Sequence, residues 1–262
     1  MQNGKDGDTV MINVVVCGAL GRMGQTIGRM VAESPDLNLV GGLDLKPGTF
    51  FGAEIVEAKN MGTLLEAQKP DVMIDFTIAS AAVGNVQVAA RHKVALVVGT
   101  TGISPEQRAL MATAIEGNVP AVFSTNYSVG VNIFWQLVRN AGKLLKDYDI
   151  EVIEAHHRNK KDAPSGTAKT ILQILDEEVG SRKKQYGREG MTDRADEIGV
   201  HVIRGGDIVG DHTVSFSKNF ETIELSHRAY DRSVFASGAL RAAHWVVGKK
   251  PGMYAMSDVL GL

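Results

Sequence analysis

Cysteine is almost absent from this chain, which has Cys17 alone in 262 residues. A single cysteine excludes an internal disulfide and is typical of a reducing compartment, so we expect a cytoplasmic location. Long hydrophobic runs are also lacking, because the most apolar early stretch, Met11 to Leu20, is too short to span a bilayer. The opening MQNGKDGDTV is polar and carries no apolar signal region. We therefore expect no membrane partner.

The chain has no excess of charge of one sign, with 28 Lys and Arg against 30 Asp and Glu and a formal net charge of −2. This balance creates no global field for nucleic acid, so we expect no nucleic-acid partner. Metal-ligand spacings are missing too. Seven His residues are present, but neither H-E-x-x-H nor C-x-x-C occurs, so we expect no metal site.

The first half of the chain alternates short β-branched runs with helical patterns, from MINVVVC at Met11 to AVFSTN at Ala121. This alternation is typical of α/β proteins and predicts a Rossmann-like, doubly wound parallel sheet. A helical pattern from Val129 to about Leu145 follows, and then come runs typical of strands, three of them late and separated by short turns. They predict a second, α+β domain with a mostly antiparallel sheet.

Two domains follow from this change of pattern. Residues 1–127 and 233–262 form the first, because the helical pattern from Ser233 to Val247 is expected to pack back on it. Residues 128–232 form the second. Within the second, the polar and charged segment from Ser181 to Glu197 is predicted as an exposed loop.

VVVCGALGRMG places Gly18, Gly21 and Gly24 directly after the first strand and at the start of a helix. Glycine here permits a tight turn, close backbone approach to a pyrophosphate and close packing of helix on strand. Asp44 ends the second strand, 20 residues after Gly24, where a carboxylate accepts hydrogen bonds from an adenosine ribose. The pattern predicts a dinucleotide site, with a glycine-rich turn that binds nothing as the alternative.

Asp44 also bears on the choice of cofactor. A carboxylate favours the free 2′-hydroxyl of NADH and repels the 2′-phosphate of NADPH, whereas Lys46 partly offsets that repulsion. We therefore expect NADH to be used well and leave NADPH open. The loop Gly99-Thr100-Thr101-Gly102 follows the fourth strand and is predicted to contact the nicotinamide side, with a structural turn as the alternative.

The segment EAHHRNKKDAPSGTAK, from Glu154 to Lys169, joins two adjacent histidines, a cationic cluster and a helix start. Ser165 is a favoured N-cap, and apolar residues at helical spacing follow it. The first turn of such a helix attracts an anion, and the lysines upstream strengthen the attraction. Consecutive strand residues point to opposite faces, so a structural role for His156 or His157 is the alternative to a chemical one.

Together, VCGALGRMG, GTTG, STNYSVGVNIF and H-H-x-x-K-x-D-A-P-S-G-T-A resemble the motifs of the dihydrodipicolinate reductase family, over nearly the whole chain. The resemblance implies the reduction of a small dicarboxylate, 4-hydroxy-tetrahydrodipicolinate, by NADH or NADPH in diaminopimelate and lysine biosynthesis. It implies a homotetramer in which residues 1–127 and 233–262 bind the dinucleotide. Residues 128–232 would bind substrate and carry the subunit contacts. Leu45 stands where some relatives have an arginine suited to a 2′-phosphate, which weakens the expectation of NADPH use.

The same resemblance implies residue roles. His156 would be the proton donor, with Lys160 as a second candidate and water as a third. His157 would contact the substrate, while Gly166 and Thr167 would hold one of its carboxylates. The residues implied to line the dinucleotide are Gly18, Ala19, Leu20, Gly21, Arg22, Met23, Asp44, Gly99, Thr100, Thr101, Ser124, Thr125, Asn126 and Tyr127.

Two rival functions stay open at this point. One is another two-domain dehydrogenase, acting on an amino acid or a sugar, which shares the glycine loop but has no reason to carry HHRNKKDAPSGTA. The other is a regulator that binds NADH without turnover. It predicts that changes at His156 and Lys160 are tolerated.

Overall fold

A computed structural model describes residues 11–262, and the opening MQNGKDGDTV with its expected lack of a signal region lies outside them. The strands are β1 (Ile12–Cys17), β2 (Leu37–Asp44), β3 (Gly48–Phe50), β4 (Ala53–Glu57), β5 (Val72–Asp75), β6 (Ala95–Val98), β7 (Pro120–Phe123), β8 (Asp149–His156), β9 (Lys183–Tyr186), β10 (Glu197–Arg204), β11 (Gly210–Lys218), β12 (Glu221–Ala229) and β13 (Gly252–Tyr254). The helices are α1 (Arg22–Ala32), α2 (Met61–Gln68), α3 (Ala79–Arg91), α4 (Pro105–Ile115), α5 (Val129–Leu144), α6 (Gly166–Val179), α7 (Ser233–Val246) and α8 (Met256–Leu260). None of the helices in this range is both long and apolar enough to cross a bilayer.

The chain divides into two compact units. The first runs up to Tyr127 and resumes over Phe235–Gly261, and the second runs over Ser128–Val234. The later boundary therefore falls in the first turn of α7.

An eight-stranded sheet forms the centre of the first unit, in the order β13-β7-β6-β5-β1-β2-β4-β3. Every neighbouring pair is parallel except β3 with β4. All residues of β5 and β6 are buried, as expected for strands covered by helices on both faces. One layer of the core joins Leu64 of α2, Val86 of α3 and Met111 of α4 to the sheet. The α/β fold class and the parallel first sheet are confirmed.

The second unit contains a five-stranded sheet, in the order β12-β11-β8-β10-β9. β11 is antiparallel to β8 and β12, but β10 is parallel to β8 and β9. The expectation of a mostly antiparallel sheet is therefore corrected to a mixed one. The cause is α6, which returns the chain from the end of β8 to the start of β9, a connection that joins parallel strands. β9 lies in the segment from Ser181 to Glu197, where the sequence predicts only a loop.

Helices α5 and α6 cover one face of the second sheet. Phe134 and Val138 of α5 and Ile171 and Leu175 of α6 pack in one core with the alternate residues of β8 that start at Ile150. Because side chains alternate along a strand, residues 150, 152, 154 and 156 of β8 share this face. The last two are Glu154 and His156, so the hydrophobic row ends in two buried polar side chains.

Candidate active site

The glycine loop connects β1 to α1 in the first unit. Gly18 has a φ of +81°, a left-handed conformation that favours glycine, and its N–H donates to the Leu43 carbonyl at 2.8 Å. A Cβ on Gly24 would lie 2.0 Å from the Gly18 carbonyl oxygen, so only glycine allows this approach of α1. Gly21, the N-cap of α1, leaves the first turn without a side-chain cap. The backbone N–H groups in this first turn of α1 suit a phosphate.

Asp44 lies at the carboxyl end of β2, beside the glycine loop. Its Oδ2 accepts from the N–H of Leu20 at 2.8 Å and its Oδ1 accepts from the N–H of Leu45 at 2.7 Å. Each oxygen retains a lone pair for a ribose hydroxyl. The side chain of Leu45 is exposed and offers no charge to a 2′-phosphate.

A buried carboxylate, Asp75 at the end of β5, lies beneath the Gly99-to-Gly102 loop. Its Oδ1 accepts from the hydroxyls of Thr100 and Thr77, both at 2.7 Å, and its Oδ2 accepts from the Asn85 amide at 2.7 Å. Its carbonyl accepts from the Gly99 N–H at 2.9 Å. The Thr100 hydroxyl is therefore directed into the protein, and the loop backbone is what faces outward.

The turn from Ser124 to Tyr127 follows β7. The Ser124 hydroxyl donates to the Asn126 carbonyl at 2.7 Å, which closes the turn. The ring of Tyr127 is buried, and its hydroxyl lies 3.0 Å from the Val98 carbonyl oxygen and 2.8 Å from that of Val122. Burial raises the pKa of Tyr127 well above its usual value. Its side chain therefore belongs to the core, and only its backbone is left for a cofactor contact.

These four segments follow the carboxyl ends of parallel strands, which meet at one edge of the sheet. Ligands bind at this edge in open parallel sheets. The close approach that Gly18 and Gly24 provide and the carboxylate of Asp44 fit a dinucleotide. Of the other expected contacts, Leu20, Arg22, Thr101 and Thr125 are exposed, Met23, Ser124 and Asn126 are half-buried, and Ala19 is buried.

In the second unit, α6 begins directly after Ser165. The Ser165 hydroxyl accepts from the Ala168 N–H at 3.2 Å, which confirms the expected N-cap. Gly166 is exposed, and a Cβ added there would meet nothing within 4 Å, so the first turn is open to a ligand. Thr167 and His157 are half-buried. The start of this helix can receive a carboxylate.

His156 ends β8 and is buried beside Glu154, with its Nδ1 2.5 Å from Glu154 Oε2. Arg204 donates from Nη1 to Oε2 at 3.0 Å and from Nη2 to Oε1 at 2.8 Å, a bidentate ion pair. Burial alone would raise the pKa of Glu154. Hydrogen bonds from His156, Arg204 and the Ser165 N–H outweigh burial and lower this pKa to about 2. The carboxylate is therefore ionised and holds the His156 ring.

His212 of β11 lies across from Glu154 in the sheet register. Its Nε2 is 3.1 Å from the Ser165 hydroxyl, and its ring meets that of His156 edge to face, with centroids 5.1 Å apart. Burial, followed by the charge of His156, lowers the pKa of His212 to about 3. His212 is thus neutral at neutral pH.

Protonation of His212 is expected to destabilise the second unit in acid. An unfolded histidine binds a proton near pH 6.5, whereas folded His212 resists protonation until about pH 3. The unfolded state therefore binds more protons in this window, and stability is lost as the pH falls through it. Between pH 7 and pH 5 the loss is about 2 kcal/mol. Urea unfolding at both pH values measures this loss of stability. The loss should be smaller in His212→Gln and should keep its wild-type size in His92→Gln. Equal losses in the two variants would contradict a neutral, buried His212.

Lys160 lies in the loop between β8 and α6. Its Nζ is 2.8 Å from Asp162 Oδ1, and its side chain is 22% exposed. Burial raises the pKa of Asp162, but the hydrogen bond from Lys160 outweighs burial and lowers this pKa. Lys160 thus already has a carboxylate partner. A lysine that is paired with a carboxylate is better suited to binding an anion than to releasing a proton.

Glu154, His156 and His212 also bring three possible metal ligands within 4.8 Å of one another. The guanidinium of Arg204 occupies both oxygens of the same carboxylate, and its positive charge opposes a metal cation. The cluster therefore suits the exchange of a proton better than the binding of a cation. The expectation of no metal site stays a prediction.

Sequence reasoning missed several residues of this cluster. Glu154 could have been found, because it precedes His156 by two positions in a strand and so shares its face. Arg204 and His212 come from β10 and β11, and their place beside β8 depends on strand register. Asp75 had a weaker signal, as the last residue of a buried strand at the ligand-binding edge.

A glycine loop on a parallel sheet, together with a buried histidine beside an open helix start, defines a two-domain nicotinamide-dependent oxidoreductase. Residues 12–127 match the family model for the N-terminus of dihydrodipicolinate reductase, and residues 130–260 match the model for its C-terminus. The chain belongs to the dihydrodipicolinate reductase family. It is an enzyme that uses NAD(P)H.

Individual relatives agree with this membership. The chain is 80% identical to the 4-hydroxy-tetrahydrodipicolinate reductase of Methanoregula boonei, over 96% of this chain and 99% of the relative. It is 68% identical to that of Methanoculleus marisnigri, over 96% and 100%. Among solved structures, dipicolinate-bound dihydrodipicolinate reductase from Paenisporosarcina sp. TG-14 matches with a TM-score of 0.80 and 26% identity, over 95% of this chain and 99% of that one. The resemblance drawn from the motifs is confirmed.

Proposed function

We propose that this chain reduces 4-hydroxy-tetrahydrodipicolinate to tetrahydrodipicolinate with NADH or NADPH, in diaminopimelate and lysine biosynthesis. The observation that carries the proposal is the buried His156, held at Nδ1 by Glu154 next to the open start of α6. The relatives' shared name supplies the substrate, and the dicarboxylate bound to a related reductase has the matching chemistry. The reaction consumes one hydride and one proton and releases water.

Residues of the first unit would bind and orient the dinucleotide. The loop from Gly18 to Met23 would take the pyrophosphate and Asp44 the adenosine ribose. The backbone of Gly99 to Thr101 and of Ser124 to Tyr127 would line the nicotinamide side. The bound nicotinamide supplies the hydride.

Residues of the second unit would hold the substrate and deliver the proton. The N–H groups at Gly166 and Thr167 would bind one carboxylate, and Lys160 would add a full positive charge. His157 would contact the substrate. His156 would release a proton from Nε2 to the ring atom on which electron density develops, an effect typically worth roughly 10²–10⁴-fold in rate.

Oxidation of NADH and of NADPH tests the function when it is followed with freshly made product of dihydrodipicolinate synthase. We expect oxidation that requires both this product and the enzyme. Binding of NADH without substrate-dependent oxidation would favour the regulator, and oxidation with an amino acid or a sugar would favour another dehydrogenase.

Asp44→Asn tests the cofactor site. Loss of the negative charge should raise the Kd of NADH about tenfold, since hydrogen bonds to a charged group are worth about 1.5–3 kcal/mol. The Kd of NADPH should fall or stay constant, because repulsion of the 2′-phosphate is removed. Quenching of nucleotide fluorescence measures both constants, and Asp71→Asn is the matched control outside the glycine loop. Parallel changes for the two nucleotides would contradict a ribose contact.

We also propose a cytoplasmic homotetramer in which residues 128–232 carry the subunit contacts. The support is the motif resemblance, the single, unpaired Cys17, and a polar face of the second sheet that includes Glu151, His201 and Thr213. Light scattering coupled to size exclusion tests the assembly, and a monomer at micromolar concentration would refute it.

A further inference from the structure

Glu154 lies at the centre of the second unit's polar cluster, with no exposed surface. Its two oxygens serve different segments. Oε2 faces His156 Nδ1 at 2.5 Å, while Oε1 accepts from the Ser165 N–H at 3.0 Å, and Arg204 donates to both oxygens. One carboxylate therefore contacts the candidate proton donor and the residue that starts α6.

We propose that Glu154 is a positioning residue that fixes His156 as a proton donor and joins it to the anion-binding start of α6. The proposal rests on the function proposed above. It adds a role for a residue that does not itself reach the substrate.

The contact with Glu154 determines which nitrogen of His156 exchanges its proton. An ionised carboxylate accepts from Nδ1–H, so Nδ1 keeps its proton in both charge states and Nε2 is the exchanging atom. The hydrogen bond of His156 to Glu154 is made through Nδ1 and leaves Nε2 on the other side of the ring. Gly210 lies beside it, and a Cβ there would be 3.1 Å from Nε2. Glycine at this position keeps the exchanging nitrogen uncrowded.

Through its contact with the Ser165 N–H, Glu154 also positions the start of α6, the helix proposed to bind the substrate. Arg204 Nη2, which donates to Glu154 Oε1, also donates to the Asp162 carbonyl at 2.6 Å. The loop between β8 and α6 is thus tied to the same carboxylate at two points. A shift of Glu154 would move the donor and the carboxylate-binding N–H groups together.

The charges around His156 come from four elements. Glu154 of β8 favours the protonated ring, and Arg204 of β10 and Lys160 of the loop oppose it. His212 of β11 is neutral. Glu154 is the one anion in direct contact with His156 among the residues described.

The test is Glu154→Gln, which keeps the side-chain shape and removes the charge. We expect kcat to fall at least tenfold. We also expect the alkaline limb of the kcat/KM profile to move to lower pH, because the anion that contacts Nδ1 is lost. Because α6 loses an anchor, KM for the substrate should rise severalfold. The Kd of NADH, measured by fluorescence, should not change.

Asp36→Asn is a matched control in the first unit. Asp36 also contacts a histidine, because His244 Nε2 lies 2.8 Å from Asp36 Oδ2. This variant should keep the wild-type pH profile. Glu154→Asp keeps the charge with a shorter reach and should recover part of the alkaline limb. If Glu154→Gln fails to fold because Arg204 is left unpaired, Glu154→Gln with Arg204→Met removes both charges. A smaller shift in the same direction is then expected, because the cation that opposes protonation of the ring is also lost while the contact at Nδ1 is weakened.

NMR titration of the His156 ring protons, assigned with His156→Gln, gives a readout that needs no substrate. A titration moved to lower pH in Glu154→Gln supports the proposal, even if the wild type fails to reduce the proposed substrate. That failure would reject the function alone. A titration and an alkaline limb equal to those of the wild type, in a folded Glu154→Gln or in the double variant, would overturn the positioning role.

Discussion

Replacing His156 with Gln is expected to lower kcat by about 10²–10⁴-fold, because glutamine cannot carry the proton that we propose Nε2 delivers. The Kd of NADH should stay at its wild-type value, since the residues proposed to bind the dinucleotide belong to the first unit. Steady-state oxidation of NADH, combined with nucleotide titration by fluorescence, separates the two effects. A loss of turnover with intact nucleotide binding would also exclude the regulator.

Lys160→Ala distinguishes the second candidate donor from the first. Because Lys160 pairs with Asp162 and carries a charge suited to a carboxylate, we expect KM to rise about tenfold and kcat to change little. Lys161→Ala, the exposed neighbour, is the matched control and should leave both constants unchanged. A fall in kcat for Lys160→Ala as large as that for His156→Gln would assign the proton to Lys160.

Gly24→Ala is expected to damage the proposed dinucleotide site strongly. The added Cβ would lie 2.0 Å from the Gly18 carbonyl oxygen and 2.9 Å from the Ala19 Cα, so the loop or α1 must shift. Overpacking of this kind costs about 1–3 kcal/mol. If this cost falls on the loop geometry, the Kd of NADH rises about 10- to 100-fold. Nucleotide titration and thermal unfolding measure the two effects.

Gly84→Ala is the matched control for that change. Gly84 is exposed in α3, and a Cβ there would meet nothing within 4 Å. Alanine should therefore stabilise the helix by about 0.5–1 kcal/mol and leave NADH binding intact. Wild-type NADH affinity in Gly24→Ala would show that the loop tolerates the shift and that close packing is not required.

The longer elements of the fold were predictable from sequence because they carry strong periodic patterns. α5, expected from Val129 to about Leu145, spans Val129–Leu144, and α7, expected over residues 233–247, spans Ser233–Val246. Short strands without a hydrophobic pattern were not predictable. Lys183–Tyr186 of β9 is polar and half-exposed, so its membership in the sheet comes from pairing with β10. Because β9 was not predicted, the parallel connection from β8 through α6 was not recognised. The second sheet was therefore predicted as mostly antiparallel, when it is mixed.

The residues of the candidate site also fall into those that could be predicted from sequence and those that could not. Segments that are contiguous in sequence, such as the glycine loop and the helix start at Ser165, could be read directly. Residues that meet only through strand register could not, and Arg204 and His212 are the clearest examples. Tyr127 illustrates a third limit, because a motif residue can serve the core with its side chain and a ligand only with its backbone.

The divided first unit has a consequence for how the protein is made. β13 pairs with β7, and Gly238 of α7 lies so close to Tyr127 that a Cβ there would be 1.7 Å from the Tyr127 carbonyl oxygen. Both contacts need residues that the ribosome adds after residue 234. A nascent chain therefore contains all of the second unit while β7 is still an edge strand that pairs only with β6. The first unit can therefore complete its sheet only after the second unit has been synthesised.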